Sequence, residues 1–219
     1  MIAGATRGSG GRPLARHLAN AAKNEQVIIG PSRGLVSDPD DAFAQQAELE
    51  RTQAHARTLR PIHHVHCDPP PGLDPETEAA VRDRFWQLYE AEFGLERAPF
   101  YSRIHVKDGR THEHRPYGLG RPDGSVADLR HDYARREKIS RIIEHEFGLP
   151  LTPGAHNRAV LQALEREGRQ DVADAMRAAG LDTRERPRAP TTPEQRAQAE
   201  RTIVDPRQVG AAALAAVKN

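Results

Sequence analysis

Ile104-His105-Val106-Lys107-Asp108-Gly109-Arg110-Thr111-His112-Glu113-His114-Arg115 is the stretch on which the fold of this chain turns. Asp108-Gly109 lies between short β-compatible runs, and a two-residue type I′ turn needs positive φ at both central positions, which Asp-Gly tolerates. With that turn, Lys107 faces Arg110, Val106 faces Thr111 and His105 faces His112. Side chains alternate faces along a strand, so His114 shares a face with His112 and Glu113 points the other way. His105, His112 and His114 therefore converge on one patch, a predicted metal site built from a hairpin. A His-x-His pair in a strand is more often solvated or hydrogen-bonded than ligating, and the third imidazole in register is what favours the metal. The spacing fits no Cys/His zinc finger, and Cys67 is the only cysteine in the chain.

A chain of 219 residues can bury a real core. Its hydrophobic fraction of 37% and mean hydropathy of −0.73 are low for one compact unit, so part of it is expected to be extended. No apolar run approaches the length of a membrane span and the N-terminus lacks an apolar signal core, which predicts a cytoplasmic protein; a lone cysteine agrees. The net charge of +1 hides an asymmetry. Lys+Arg against Asp+Glu count 5 to 1 over residues 1–37, 6 to 13 over 38–97, and 10 to 6 over 98–141. Positive charge thus gathers at the N-terminus and around the hairpin. A phosphate-bearing partner beside the histidines would explain it, as would an ordinary solvated face.

Outward from the hairpin, Met1 to Gly11 is Gly-rich and is read as unable to form a helix or strand of any length. A helix is expected from Arg12-Pro13 to about Lys23, with Leu14, His17, Leu18, Ala21 and Ala22 on its apolar face; there His17 is either a satisfied core residue or a functional one. Gln26–Gly30 and Pro61–Cys67 read as strands, with His64 and His66 on the same face as Ile62, where they border the metal patch, line a cleft or lie in solvent. Pro39–Leu59, Pro75–Phe93 and Asp128–Phe147 read as helices, and shorter helical patterns follow near Ala155–Glu167 and Asp171–Ala179. The fold class predicted is α/β in the α+β sense: a mostly antiparallel sheet backed by helices on one face, the histidine face left free. Residues 151–181 would form a helical extension, and the Arg/Pro/Thr-rich residues 182–219 a linker-like tail.

With these pieces in place the chain resembles the relaxases, the mobilisation nucleases of the HUH endonuclease superfamily. The matching features are the Gly-rich start, Leu14-Ala15-Arg16-His17-Leu18 with Asn24-Glu25 following, Asp68-Pro69-Pro70-Pro71-Gly72, the His105-x₆-His112-x-His114 block and Glu144-His145-Glu146-Phe147-Gly148-Leu149, together spanning about residues 1–150. The resemblance implies a palm-like sheet whose three histidines hold one divalent cation, Mn or Mg. It also implies strand-specific nicking and religation of single-stranded or transfer-origin DNA through a covalent protein–DNA intermediate, with accessory conjugation proteins as partners.

Many relaxases place a tyrosine near the N-terminus, but residues 1–88 contain none. His17 stands in the corresponding place and is the predicted nucleophile. The alternative is Tyr133, where related replication initiators carry theirs; a non-catalytic single-stranded-DNA-binding protein with the same fold is the other. The predicted DNA contacts are Arg12, Arg16, Asn24, His64, Arg103 and Arg115.

Overall fold

A computed structural model describes residues 1–182 of the chain; the predicted tail, Asp182 apart, lies outside the described residues. The elements run β1 (Ile2–Gly8), α1 (Arg12–Leu18), a single 3-10 turn (Ala21–Lys23), β2 (Gln26–Arg33), α2 (Ala42–Thr52), β3 (Ile62–Asp68), α3 (Pro75–Phe93), β4 (Phe100–Lys107), β5 (Arg110–Gly118), α4 (Asp132–Glu146), α5 (Asn157–Arg166) and α6 (Gln170–Ala178). The five strands form one sheet in the order β1-β3-β5-β4-β2. Every pairing is antiparallel, as the α+β reading predicts.

The hairpin of β4 and β5 forms in the predicted register, with Lys107 opposite Arg110, Val106 opposite Thr111 and His105 opposite His112. Asp108 and Gly109 take φ of 52° and 67°, the positive pair that a I′ turn requires. Helix α3 also has the predicted bounds, and its ends explain why. Asp74 accepts from the backbone N–H groups of Glu76 and Thr77, Pro75 fills the first turn, and Gly94 closes the helix in the left-handed region. Its stripe of Val81, Phe85, Trp86, Tyr89 and Phe93 packs on Val65, Cys67, Phe100 and Tyr117 of the sheet, together with Ile139 and Ile143 of α4. Phe85 is fully buried there. Phe85→Ala should cost about 3–5 kcal/mol of unfolding free energy in a urea titration, whereas a change under 1 kcal/mol would mean that this is not the main core.

Two expectations need correction. The Gly-rich opening is a strand: β1 pairs with β3 from Ile2–Asp68 to Gly8–Ile62. Backbone ladder bonds need no side chains, and Gly4 is there for a steric reason, because a Cβ on it would run into the His66 ring lying across β1. The second correction concerns cover. Helices lie on both faces of the sheet, since Leu18 of α1 and Leu49 of α2 form a small core with Ile62 and Tyr101 on the histidine side. Helix α1 also stops at Leu18 instead of continuing to Lys23, and a separate 3-10 turn over Ala21–Lys23 leads into β2. Helices α5 and α6 pack with α4 around a separate cluster of Ile142, Val160, Leu164, Val172, Ala173 and Met176. No described helix is long and apolar enough to cross a membrane.

Candidate metal centre and nucleophile

Side-chain alternation puts His105 of β4, His112 and His114 of β5, and His64 and His66 of β3 on one face. His105 and His114 are buried and His112 is half-buried, and one ring nitrogen from each lies within 4.8 Å of the others. Their ring centroids are 4.6–5.2 Å apart. The hydrogen bonds around them decide which nitrogens are free. His105 Nε2 lies 2.9 Å from the Leu18 carbonyl, which can only accept, so the proton is on Nε2 and the Nδ1 lone pair is available. His114 Nδ1 lies 3.0 Å from His64 Nε2, while its Nε2 is buried without a hydrogen-bond partner. A free lone pair on that Nε2 requires the proton on Nδ1 and acceptance by His64. A buried, partnerless nitrogen at the convergence of three imidazoles fits a divalent cation, and the outer hydrogen bonds are those that fix a ligating tautomer. Three neutral nitrogen donors suit Mn, Ni or Zn better than Mg.

Burial lowers the pKa of all these imidazoles, and repulsion from neighbouring imidazoles lowers it further at His64, His66, His112 and His114. His64 is pushed down to about 3 by desolvation and by the charges that His66, His17, His63 and His105 would carry. Desolvation is likewise the leading cause of the depressions at His66, His105, His112 and His114. On the opposite face His63, hydrogen-bonded to the Tyr89 hydroxyl at 2.7 Å, is pushed by burial down to about 4. Neutral rings are what metal ligation needs at neutral pH. They also make the metal-free fold acid-sensitive. The unfolded chain protonates histidine near 6.5 while folded His63 and His64 resist until about 4 and 3. Below pH 6.5 the unfolded state therefore binds more protons, and stability falls by about 1.4 kcal/mol per pH unit for each such group. The melting temperature of chelator-treated protein should drop steadily from pH 7 to pH 5; a flat profile would mean that these rings are not held neutral.

His17 comes from α1 and opens onto the same place. Its ring lies 5.3 Å from His114, 5.9 Å from His105 and 6.0 Å from His64. Instead of packing in an apolar interface it is exposed at the mouth of a cavity of about 420 Å³ that it lines with Thr6, His64, His66, Asp68, His112 and His114. Partial desolvation, helped by His105 and Lys23, lowers its pKa, so its ring is neutral at physiological pH. Tyr133, the alternative nucleophile, is 64% exposed on the first turn of α4 and stacks with His156, away from the residues that line this cavity.

The predicted DNA contacts divide. Arg12 and Arg16 are exposed on α1 beside His17, Arg12 standing over the Phe43 ring. The side-chain amide of Asn24 is held by the Asn20 carbonyl. His64 lines the cavity and orients His114. Arg103 and Arg115 are corrected as contacts, because both are buried. Arg103 shares the histidine face but is sealed under α2 by Gln45 Oε1 and the carbonyls of Pro39 and Ser102. Arg115 lies on the other face, bonded to Glu113 and Glu90 and stacked on Trp86 and Phe100. Glu144 of the Glu144–Leu149 motif is buried against Arg141 and the Thr152 backbone, outside the cavity. Residues passed over at the sequence level are Lys23, which acts on His17 electrostatically, Asp68, two positions beyond His66 on the same strand face and so readable from alternation, and Thr6, hidden until the opening is known to be a strand.

The chain matches no protein-family model and no curated protein sequence. Among solved structures, one described as "Molecular Basis of Vancomycin Resistance Transfer in Staphylococcus aureus" superposes with 68% of this chain and 95% of its own, at 10% sequence identity and a TM-score of 0.40.

Proposed function

We propose that the chain nicks and rejoins single-stranded DNA by transesterification, as the relaxases it resembles in sequence do, with His17 as nucleophile and a divalent cation held by His105, His112 and His114. The observation that carries this reading is the meeting of a neutral, exposed His17 with a three-imidazole set in one open cavity, each supplied by a different part of the chain. A bound cation would supply Lewis acidity toward the non-bridging oxygens of the scissile phosphate. The remaining work falls to the chain. Arg12, Arg16 and Lys23 draw the phosphate backbone to the mouth of the cavity, and His17 attacks phosphorus with a ring-nitrogen lone pair. A P–N bond forms as the bond to the 3′ oxygen breaks, the departing oxygen taking up a proton and the imidazolium losing its own. The 5′ phosphate stays on His17 as a phosphoramidate, so the free 3′ hydroxyl can return along the same path and rejoin the strand.

The experiment is to incubate the protein with end-labelled single-stranded DNA carrying its cognate transfer origin, in Mn, in Mg and in chelator, and to resolve the products under denaturing conditions. A metal-dependent covalent adduct that is lost in acid is the expected result. Binding without an adduct in any metal would remove the catalytic reading and leave a single-stranded-DNA-binding protein.

A further inference from the structure

A second cavity, of about 660 Å³, lies across β1 from the histidines. Along β1, Gly4 and Thr6 pair with His66 and His64, whereas Ala5 and Arg7 pair with Val65 and His63 and so belong to the other face. Ala5 and Arg7, with the segment from Val126 to Asp132, form this cavity, and buried His63 is at its base. Thr6 lines both cavities. Because β1 is an edge strand, one strand's thickness separates them and no further strand bars the way around.

The lining has the character of a site for a flat, polar-edged molecule. Ala5, Val126, Ala127 and Leu129 supply apolar walls, and Arg7, Arg130, Asp128 and Asp132 stand around them. The Arg130 side chain, 82% exposed, is bonded through Nε and Nη2 to the Asp128 carboxylate, and Arg7 is held through Nε and Nη2 by the Arg60 carbonyl and Thr58 Oγ1. Each guanidinium therefore offers a base its Nη1, while the Asp132 carboxylate takes one guanidinium bond from Arg136 and keeps other lone pairs. Apolar walls with a few convergent donors and acceptors are the usual make-up of a small-ligand pocket. Unstacked bases are held by contact with their faces and by hydrogen bonds to their edges; here aliphatic side chains would supply the face contact.

We propose that this cavity receives one base of the DNA strand whose backbone crosses the histidines, and that the base is guanine. The inference rests on the DNA reading above. Guanine presents the O6/N7 acceptor edge that arginine reads, and its N1–H and amino group suit a carboxylate. The cavity would thus set which sequence is positioned for attack, while the histidines act on any phosphate.

The test uses the whole protein. Guanosine 5′-monophosphate is titrated into isotope-labelled wild type, and amide shifts are followed for Ala5, Ala127 and Leu129; in parallel, a single-stranded library randomised around the cleavage point is selected for binding. Wild type should show those shifts and a guanine preference at one position. Ala5→Leu, which fills the cavity, and Arg130→Ala, at an exposed position that folding does not require, should each reduce that preference about 10-fold, equivalent to about 1.4 kcal/mol, with Mn binding unchanged. No nucleotide-induced shift at these residues, or a preference that both variants retain, would overturn the proposal. Nucleotide shifts in a protein that binds no single-stranded DNA would instead uphold the cavity as a base site and sink the DNA reading on which its role depends.

Discussion

His17→Ala should eliminate the covalent protein–DNA species and reduce nicking by about 10³-fold or more, a loss of at least about 4 kcal/mol of transition-state stabilisation. Mn affinity in calorimetry should fall far less than it does in His114→Ala, because His17 stands beside the three-imidazole set without belonging to it. Tyr133→Phe should be silent in the same assay, since Tyr133 sits against His156 and Arg136 outside the cavity. The chemistry of the adduct gives an independent check: a phosphoramidate is released by acid and a tyrosyl phosphodiester is not. An acid-stable adduct surviving in His17→Ala and lost in Tyr133→Phe would transfer the reaction to Tyr133.

His114→Ala should weaken Mn binding by about 100-fold or more, since even disturbing the groups that orient a metal's ligands typically costs 10–100-fold. His114 is central to the cluster, touching His64, His66, His105, His112 and His17. His64→Ala should cost about 10-fold by a different route: the ring of His114 keeps its ligating nitrogen but loses the acceptor that holds its proton on Nδ1. Equal affinities for wild type and His114→Ala would mean that the cation binds elsewhere. A His64 variant weaker than His114→Ala would make His64 the ligand and His114 its support.

How much of this was legible beforehand varied with the kind of information each element needs. The hairpin and α3 were readable to the residue, since their bounds are set locally, by Asp108-Gly109 in one case and by Asp74, Pro75 and Gly94 in the other. Strand β1 was hidden, because Gly4 there answers to the His66 ring of another strand rather than to its own neighbours. Arg115 could have been set aside at once: alternation puts it with Glu113, on the face away from the histidines. Arg103 could not, for it shares their face, and only the placement of α2 buries it. The convergence of His17 on the hairpin likewise depends on a tertiary docking that helical periodicity does not contain; the period grouped His17 with Leu14 and Leu18, which do pack in an apolar interface, whereas His17 itself opens onto the cavity.

Because all three proposed ligands fall between residues 105 and 114, a captured cation would close only a very short loop. Little chain entropy is at stake in so small a ring, so the ion would add less to the cohesion of the whole domain than a ligand from α1 or α3 would. What it would govern is alignment. Slipping β5 by one residue would turn Glu113 toward the cavity and His112 and His114 toward Trp86, a state that no three-nitrogen site survives. The cation would then act as a ratchet pin on the centre of the sheet. Metal-loaded protein should accordingly slow hydrogen exchange most at the amides of β4 and β5, leaving those of α5 and α6 almost unaltered.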